Sequence, residues 1–156
     1  MKRLLAFALL ALAVTPAQAQ DAVAVPLDEV EAHGLSIARL DSLHGPAAHV
    51  DPSQSVFPAQ QDEVFEAWRA LLGTLSGRLQ AEGFEWSDPL RGYYRFYFRP
   101  DGTIERVLYR VRELEGERGE NFGRILNEFA QSYKFTLSAD RGFAQCSPAT
   151  LMPPSE

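Results

Sequence analysis

The chain has 156 residues, of which 46% are hydrophobic and 23% charged, with 21 acidic against 15 basic side chains. This length suits one domain and excludes a solenoid or a multi-helix membrane protein. The single cysteine excludes an intramolecular disulfide framework. The acidic balance argues against a nucleic-acid binder, because neutralising many phosphates takes an excess of Lys and Arg.

The first nineteen residues have the pattern of a cleavable signal peptide. A basic start at Lys2 and Arg3 precedes an apolar run over residues 4–14, and small residues follow at Ala17 and Ala19. An apolar helix of that length rises about 16 Å, against about 30 Å for a bilayer core. We therefore expect a periplasmic or secreted protein with no stable membrane insertion after cleavage.

Aromatic residues divide the rest of the chain. All those after the leader lie between Phe57 and Phe143. Residues 20–56 are interrupted by Pro and Gly and are expected to form a partly ordered arm, whose scattered apolar residues can form a short docked helix or strand. The sequence predicts a single domain over residues 57–147 and a frayed, proline-containing tail over residues 148–156.

Two helices are predicted from apolar residues at helical spacing. The first extends from about residue 60 to Glu82 and ends at Gly83, a natural stop. The second follows a charged loop over residues 113–119 and closes near Lys134. Their apolar faces consist of Val64, Trp68, Leu71, Leu72, Leu75 and Leu79 in the first helix, and of Phe122, Ile125, Leu126, Phe129 and Tyr133 in the second.

A β-hairpin is predicted between the helices, because the apolar period changes to two from Gly92 onward. The turn Pro100-Asp101-Gly102 combines the fixed φ of proline with a glycine suited to positive φ. Ile104 breaks strict alternation with Val107, which predicts a second irregularity at Glu105-Arg106.

The remaining elements complete an α+β fold. Residues 135–138 are predicted as a short third strand, and residues 143–147 as either a further edge strand or a docked extension. The expected architecture is two helices packed on one face of a small antiparallel sheet.

Residues 94–137 resemble the TonB C-terminal domain family. The resemblance rests on Phe98-Arg99-Pro100-Asp101-Gly102 in the hairpin, Ile104-Glu105-Arg106-Val107 in the return strand, and Tyr133-Lys134-Phe135 after the helix. It implies a TonB C-terminal-like fold that binds a peptide or protein, with the partner's extended segment alongside an edge strand, by position residues 135–138.

A ladder of tyrosines and arginines is predicted on the outward face of the hairpin. Such residues are favoured at interface hot spots, although a solvated face whose arginines pair with surface carboxylates is the competing interpretation. With the two apolar residues of the predicted edge strand, the candidate partner-binding residues are Tyr93, Arg95, Tyr97, Arg99, Arg106, Arg110, Phe135 and Leu137.

Catalytic and metal-binding patterns are not found in the sequence. The histidines His33, His44 and His49 have no compact ligand spacing, and no serine stands in a Gly-x-Ser-x-Gly elbow. Cys146 lacks a histidine in the predicted core and is expected to be a partly buried filler rather than a redox or intermolecular thiol. We therefore expect no enzyme activity, no metal and no cofactor.

The sequence thus predicts an exported, non-enzymatic protein- or peptide-binding or accessory module of the cell envelope. Its partner is expected to be an envelope protein or peptide, with a second copy of the chain as another candidate. A small secreted enzyme or enzyme inhibitor is the alternative.

Overall fold

The computed structural model describes residues 23–153, and the predicted signal peptide lies outside them. Over these residues the fold is α+β, with three α-helices and one five-stranded sheet. In chain order the elements are β1 (Ala24–Pro26), α1 (Ile37–Leu43), β2 (Gly45–Pro46), a 3-10 turn (Pro52–Gln54), α2 (Gln61–Ala81), β3 (Leu90–Phe98), β4 (Ile104–Val111), α3 (Gly116–Ser132) and β5 (Phe143–Leu151).

The sheet is mixed rather than purely antiparallel, which corrects the expected architecture. Its strand order is β1-β4-β3-β5-β2, with β3 antiparallel to both of its neighbours. The outer strands β1 and β2 run parallel to β4 and β5. Both come from the segment predicted as an arm, so residues 23–56 supply the two ends of the sheet.

The hairpin of β3 and β4 forms as predicted. Gly102 has φ +86°, and its N–H donates to Arg99 O over 2.9 Å. A β-carbon at this glycine would lie 2.6 Å from Phe135 O, so both backbone conformation and space require glycine. The second irregularity is also confirmed, because the register passes from Phe98 opposite Ile104 to Tyr97 opposite Arg106 and leaves Glu105 unpaired.

The main core lies between one face of the sheet and the helices α2 and α3. Trp68 of α2 packs edge-on against Phe96, and Phe122 of α3 packs against Tyr109. These buried aromatic residues account for the sequence contrast between residues 57–143 and the rest of the chain. We call this side of the sheet the helix face.

A third helix, α1, packs on the opposite side, which we call the arm face. Here Leu40, Val25 and Val30 bury a second, smaller cluster with Tyr97 and Leu108 of the hairpin. The expectation of helices on one face only therefore describes α2 and α3 but omits α1. The sheet is enclosed on both sides over part of its length.

The C-terminal region differs most from the sequence prediction. Residues 135–138 are not a strand, because Phe135 and Ala139 use their N–H groups to bond the hairpin turn at Gly102 and Pro100. The third long strand is instead β5, which pairs with the full length of β3. Residues 148–151 belong to β5 and are not the frayed tail predicted from residue 148.

Within residues 23–153, none of the helices combines the length and apolar character needed to cross a bilayer.

Candidate partner-binding surface

The predicted ladder of tyrosines and arginines is divided in two by the arm. Tyr97 and the neighbouring Leu108 are fully buried beneath α1, so the expectation of an outward-facing ladder is wrong at this end of β3. The physical reason is the apolar surface of Leu40 and Ile37, which covers these strand positions. Burial of this kind removes Tyr97 from any partner surface.

A polar cluster fixes the arm over the covered half. Arg95 donates from Nη2 to both carboxylate oxygens of Asp41, over 2.7 and 2.6 Å, and Tyr97 donates its hydroxyl to the same carboxylate over 2.8 Å. Burial, followed by the hydrogen bond to Asp41, raises the pKa of Tyr97 above its ordinary range. Arg95 therefore stabilises the fold through an ion pair within the chain, and its side chain is only one-fifth exposed.

His44 closes the end of this cluster. Its Nδ1 donates to Leu40 O over 2.8 Å, its Nε2 lies 3.2 Å from Glu105, and its ring meets that of Tyr97 edge-on. Cys146 packs against the apolar cluster that includes Leu40 and Tyr97, and burial raises the pKa of its thiol. The thiol is therefore held in its neutral, less nucleophilic form.

The other half of the arm face is open. Tyr93 is 37% exposed, and Arg91, Arg110 and Arg112 are exposed at neighbouring strand positions. None of the ion pairs found in residues 23–153 includes these three arginines. We call Arg91, Tyr93, Arg110 and Arg112 the arginine patch.

Two members of the arginine patch are missing from the predicted site. Arg91 and Arg112 continue the two-residue alternation of Tyr93 and Arg110, so extending the period by one step at each strand end would have identified them. The predicted Arg99 is exposed and donates to Ile104 O, while Arg106 is half-buried. Both lie at the turn end of the hairpin, away from the patch.

The apolar part of the predicted site is also elsewhere than expected. Phe135 is 2% exposed and lies in the main core, with its ring centroid 4.7 Å from that of Phe98. Leu137 is half-buried against the same core. Neither residue lies on a strand, so residues 135–138 offer no edge for an extended partner.

The edge that the structure leaves open belongs to β5. β2 pairs only with Phe143 and Ala144, and no other strand of residues 23–153 pairs with β5 on that side. The carbonyls of Gly142 and Ala144 point toward β2. They accept hydrogen bonds from the N–H groups of Gly45 and Ala47, respectively.

Register then determines which later residues of β5 face outward. Because backbone groups alternate sides along a paired strand, those of Cys146, Pro148 and Thr150 also point away from β3. Pro148, which has no N–H, stands at an outward position, as proline must if the pairing with β3 is to remain complete. The free edge thus offers donors on either side of Pro148, and its side chains adjoin Tyr93 and Arg91 of the next strand.

A separate cleft of about 790 Å³ opens where β1 diverges from β4. Its floor includes Tyr109, which is 8% exposed, and its rim includes Arg110 and Arg112. Burial, with smaller effects of Glu29 and Asp28, raises the pKa of Tyr109 to about 12. The loop after β1 therefore places carboxylates near this hydroxyl.

The histidines lie apart from one another. His33 pairs with Glu29 at 3.6 Å, His44 is buried, and His49 accepts the N–H of Asp51. Among the described residues, no group of three or more His, Cys, Asp or Glu side chains is arranged to hold a metal ion.

Comparison of the chain with protein-family models, with curated proteins and with solved structures finds no match.

Proposed function

We propose that this protein is a non-enzymatic binding module of the cell envelope that receives an extended segment of a partner protein along the free edge of β5. The unpaired stretch of β5 beyond Ala144 is the observation that carries the proposal. An extended peptide added to such an edge gains main-chain hydrogen bonds, while adjoining side chains select its sequence. β5 thereby takes the role that the sequence assigned to residues 135–138.

The arginine patch favours an acidic partner. Thr150 and Pro148 of the edge strand lie opposite Arg91 and Tyr93 of β3, so a segment paired with β5 lies two strands, about 9.6 Å, from them, a distance that a long arginine side chain spans across β5. Arg110 lies opposite Tyr93 on the other side, which extends the positive charge across the sheet. Carboxylates of a bound segment would gain charge-assisted hydrogen bonds there.

The cellular part of the proposal comes from the sequence. The leader pattern supports export to the periplasm or beyond. The hairpin with its Arg-Pro-Asp-Gly turn, followed by α3, supports a TonB C-terminal-like relationship, and the family's mode of binding agrees with an edge-strand partner. Together they favour an envelope protein as the source of the acidic segment.

Two substitutions test the edge in opposite directions. Pro148→Ala adds an outward N–H and should tighten binding, whereas Thr150→Pro removes one and should weaken it. Each change should alter Kd about threefold to tenfold, since a backbone hydrogen bond contributes about 0.5–1.5 kcal/mol net. Thr150→Val is the matched control, because it keeps the N–H and should change Kd less than twofold.

The measurement is fluorescence anisotropy with short Thr- and Val-rich peptides that carry glutamate at alternate positions. Lysine versions of the same peptides should bind more weakly, and added salt should reduce the difference. Absence of binding, or equal Kd values for Pro148→Ala and Thr150→Pro, would overturn the proposal. A dimer in light scattering that Thr150→Pro abolishes would assign the edge to a second copy of the chain instead.

A further inference from the structure

The cleft beside β4 lies at the opposite end of the strand order from the β5 edge, and it shares Arg110 and Arg112 with the arginine patch. Three segments enclose it: the start of the arm, the end of β4 and the first turns of α3. Its polar lining residues are Asp28, Glu29, His33, Tyr109, Arg110, Arg112, Glu115 and Glu120.

The floor of the cleft presents a hydroxyl that the fold does not use. Tyr109 is more than nine-tenths buried and lines the cleft, yet its hydroxyl has no hydrogen bond to any residue from 23 to 153. A β-carbon at Gly123 would lie 2.5 Å from this oxygen, so the glycine of α3 leaves the space in which the hydroxyl stands. The ring of Tyr109 is buried but its oxygen is reached by solvent through the cleft, so the hydroxyl is free to bond a ligand that enters there.

The walls of the cleft carry both signs of charge without neutralising each other. Arg110 and Arg112 belong to none of the chain's ion pairs among the described residues, although they share the cleft with carboxylates. Glu29 pairs only with His33, and Asp28 has no ion-pair partner in the same region. A ligand with separated charges can satisfy both walls at once.

The first turn of α3 adds a second place for a ligand carboxylate. The helix begins at Gly116, which lines the cleft, and its N-cap Glu115 makes no side-chain capping bond, so the N–H groups of the first turn have no side-chain acceptor. Among the residues that line the cleft, the carboxylates outnumber the two guanidinium groups. The best complement is a ligand with one carboxylate and more than one cationic group.

We propose that this cleft binds a basic amino acid. The ligand carboxylate meets Arg112 and the start of α3, its ammonium groups meet Glu29, Asp28 and the acidic residues of α3, and the hydroxyl of Tyr109 accepts a hydrogen bond from one ammonium. This site does not depend on the proposed edge-strand function.

Three small probes separate the required groups in an NMR titration of the full mature chain. L-Lysine should shift the amide signals of Gly119 and Gly123. L-Norleucine lacks the side-chain ammonium and 1,5-diaminopentane lacks the carboxylate, so each should bind about tenfold more weakly or worse. Equal binding of all three probes, or shifts that avoid the cleft, would overturn the proposal.

Tyr109→Phe provides the matched variant. Because the hydroxyl has no partner in the fold, this change should leave stability unaltered while weakening lysine binding about fivefold to tenfold. Tyr93→Phe, outside the cleft, should change it less than twofold. Unchanged lysine affinity in a folded Tyr109→Phe variant would refute the site. The same variant should bind acidic peptides normally, so that peptide binding tests the β5 edge separately.

Discussion

Two halves of one sheet face carry the same residue types but have different surroundings. At one end, Tyr97 and Arg95 lie beneath α1, where Asp41 accepts hydrogen bonds from both. At the other end, Tyr93 and Arg91 lie open beside the free edge of β5. Alternation in a strand therefore identifies which side chains share a face of the sheet. Whether those side chains are buried or exposed depends on a distant segment of the chain.

The largest effect should come from removing the apolar anchor of the covered half. Leu40→Ala deletes an α1 side chain that is 7% exposed and packs against Tyr97 and Leu108 of the sheet, and it should reduce the free energy of unfolding by about 2–4 kcal/mol. Urea denaturation measures the loss. Leu43→Ala, on the same helix but 60% exposed, is the control and should cost less than about 0.5 kcal/mol. Equal effects would show that α1 is not part of the cooperative fold.

The polar cluster of the covered half should contribute a smaller amount. Asp41→Ala leaves the Arg95 guanidinium and the Tyr97 hydroxyl without their shared acceptor, and should destabilise the protein by about 1–2 kcal/mol, since Asp41 is partly exposed. Glu31→Ala, an exposed change in the same arm, should be neutral. A double-mutant cycle with Tyr97→Phe should reveal coupling, and strict additivity would contradict the cluster.

Alkaline pH should also act on the covered half. The pKa of Tyr97 is raised in the folded state, so its stabilising contribution is complete below the ordinary value of 10.0 and is lost as pH rises above it. The free energy of unfolding should therefore fall above pH 10, by up to about 1.4 kcal/mol per pH unit for each such tyrosine. Tyr97→Phe should make the free energy of unfolding fall less steeply with pH. Some fall should remain, because the pKa values of Tyr94 and Tyr109 are also raised. An unchanged slope would contradict the burial of Tyr97.

The open half should show almost no effect on stability. Arg91→Ala should change the free energy of unfolding by less than about 0.5 kcal/mol, because its guanidinium has no ion pair in the described part of the chain. It should nevertheless weaken the binding of acidic peptides severalfold at low salt. Arg39→Ala, an exposed arginine on α1, is the control for nonspecific attraction, and equal losses for both variants would remove the arginine patch from the proposed site.

Local sequence patterns predicted the elements that depend on local chemistry. The helical spacing of Trp68 and Leu71, the turn at Gly102 and the irregularity at Glu105 all appear in the structure. The α+β class follows from these elements. Each of these features depends on neighbours within one helix or one hairpin, which is why the sequence alone contained them.

Long-range pairing was not predictable in the same way. The short strands β1 and β2 are held by β4 and β5, far along the chain, and leave no periodic pattern of their own. The prediction of a frayed tail rested on Pro148 and the prolines after it. In the structure Pro148 lies in β5, at an outward edge position where proline is tolerated. The candidate site moved accordingly, because its position depends on which strand has an unpaired edge.

Amide hydrogen exchange along β5 tests the central claim, that this edge is free, most directly. In the unbound protein the N–H groups of Cys146 and Thr150 should exchange fast, while those of Ser147 and Ala149, which face β3, should exchange slowly. An acidic peptide at saturation should protect Cys146 and Thr150 and leave the other two unchanged. Equal protection of all four amides in the unbound protein would contradict a free edge.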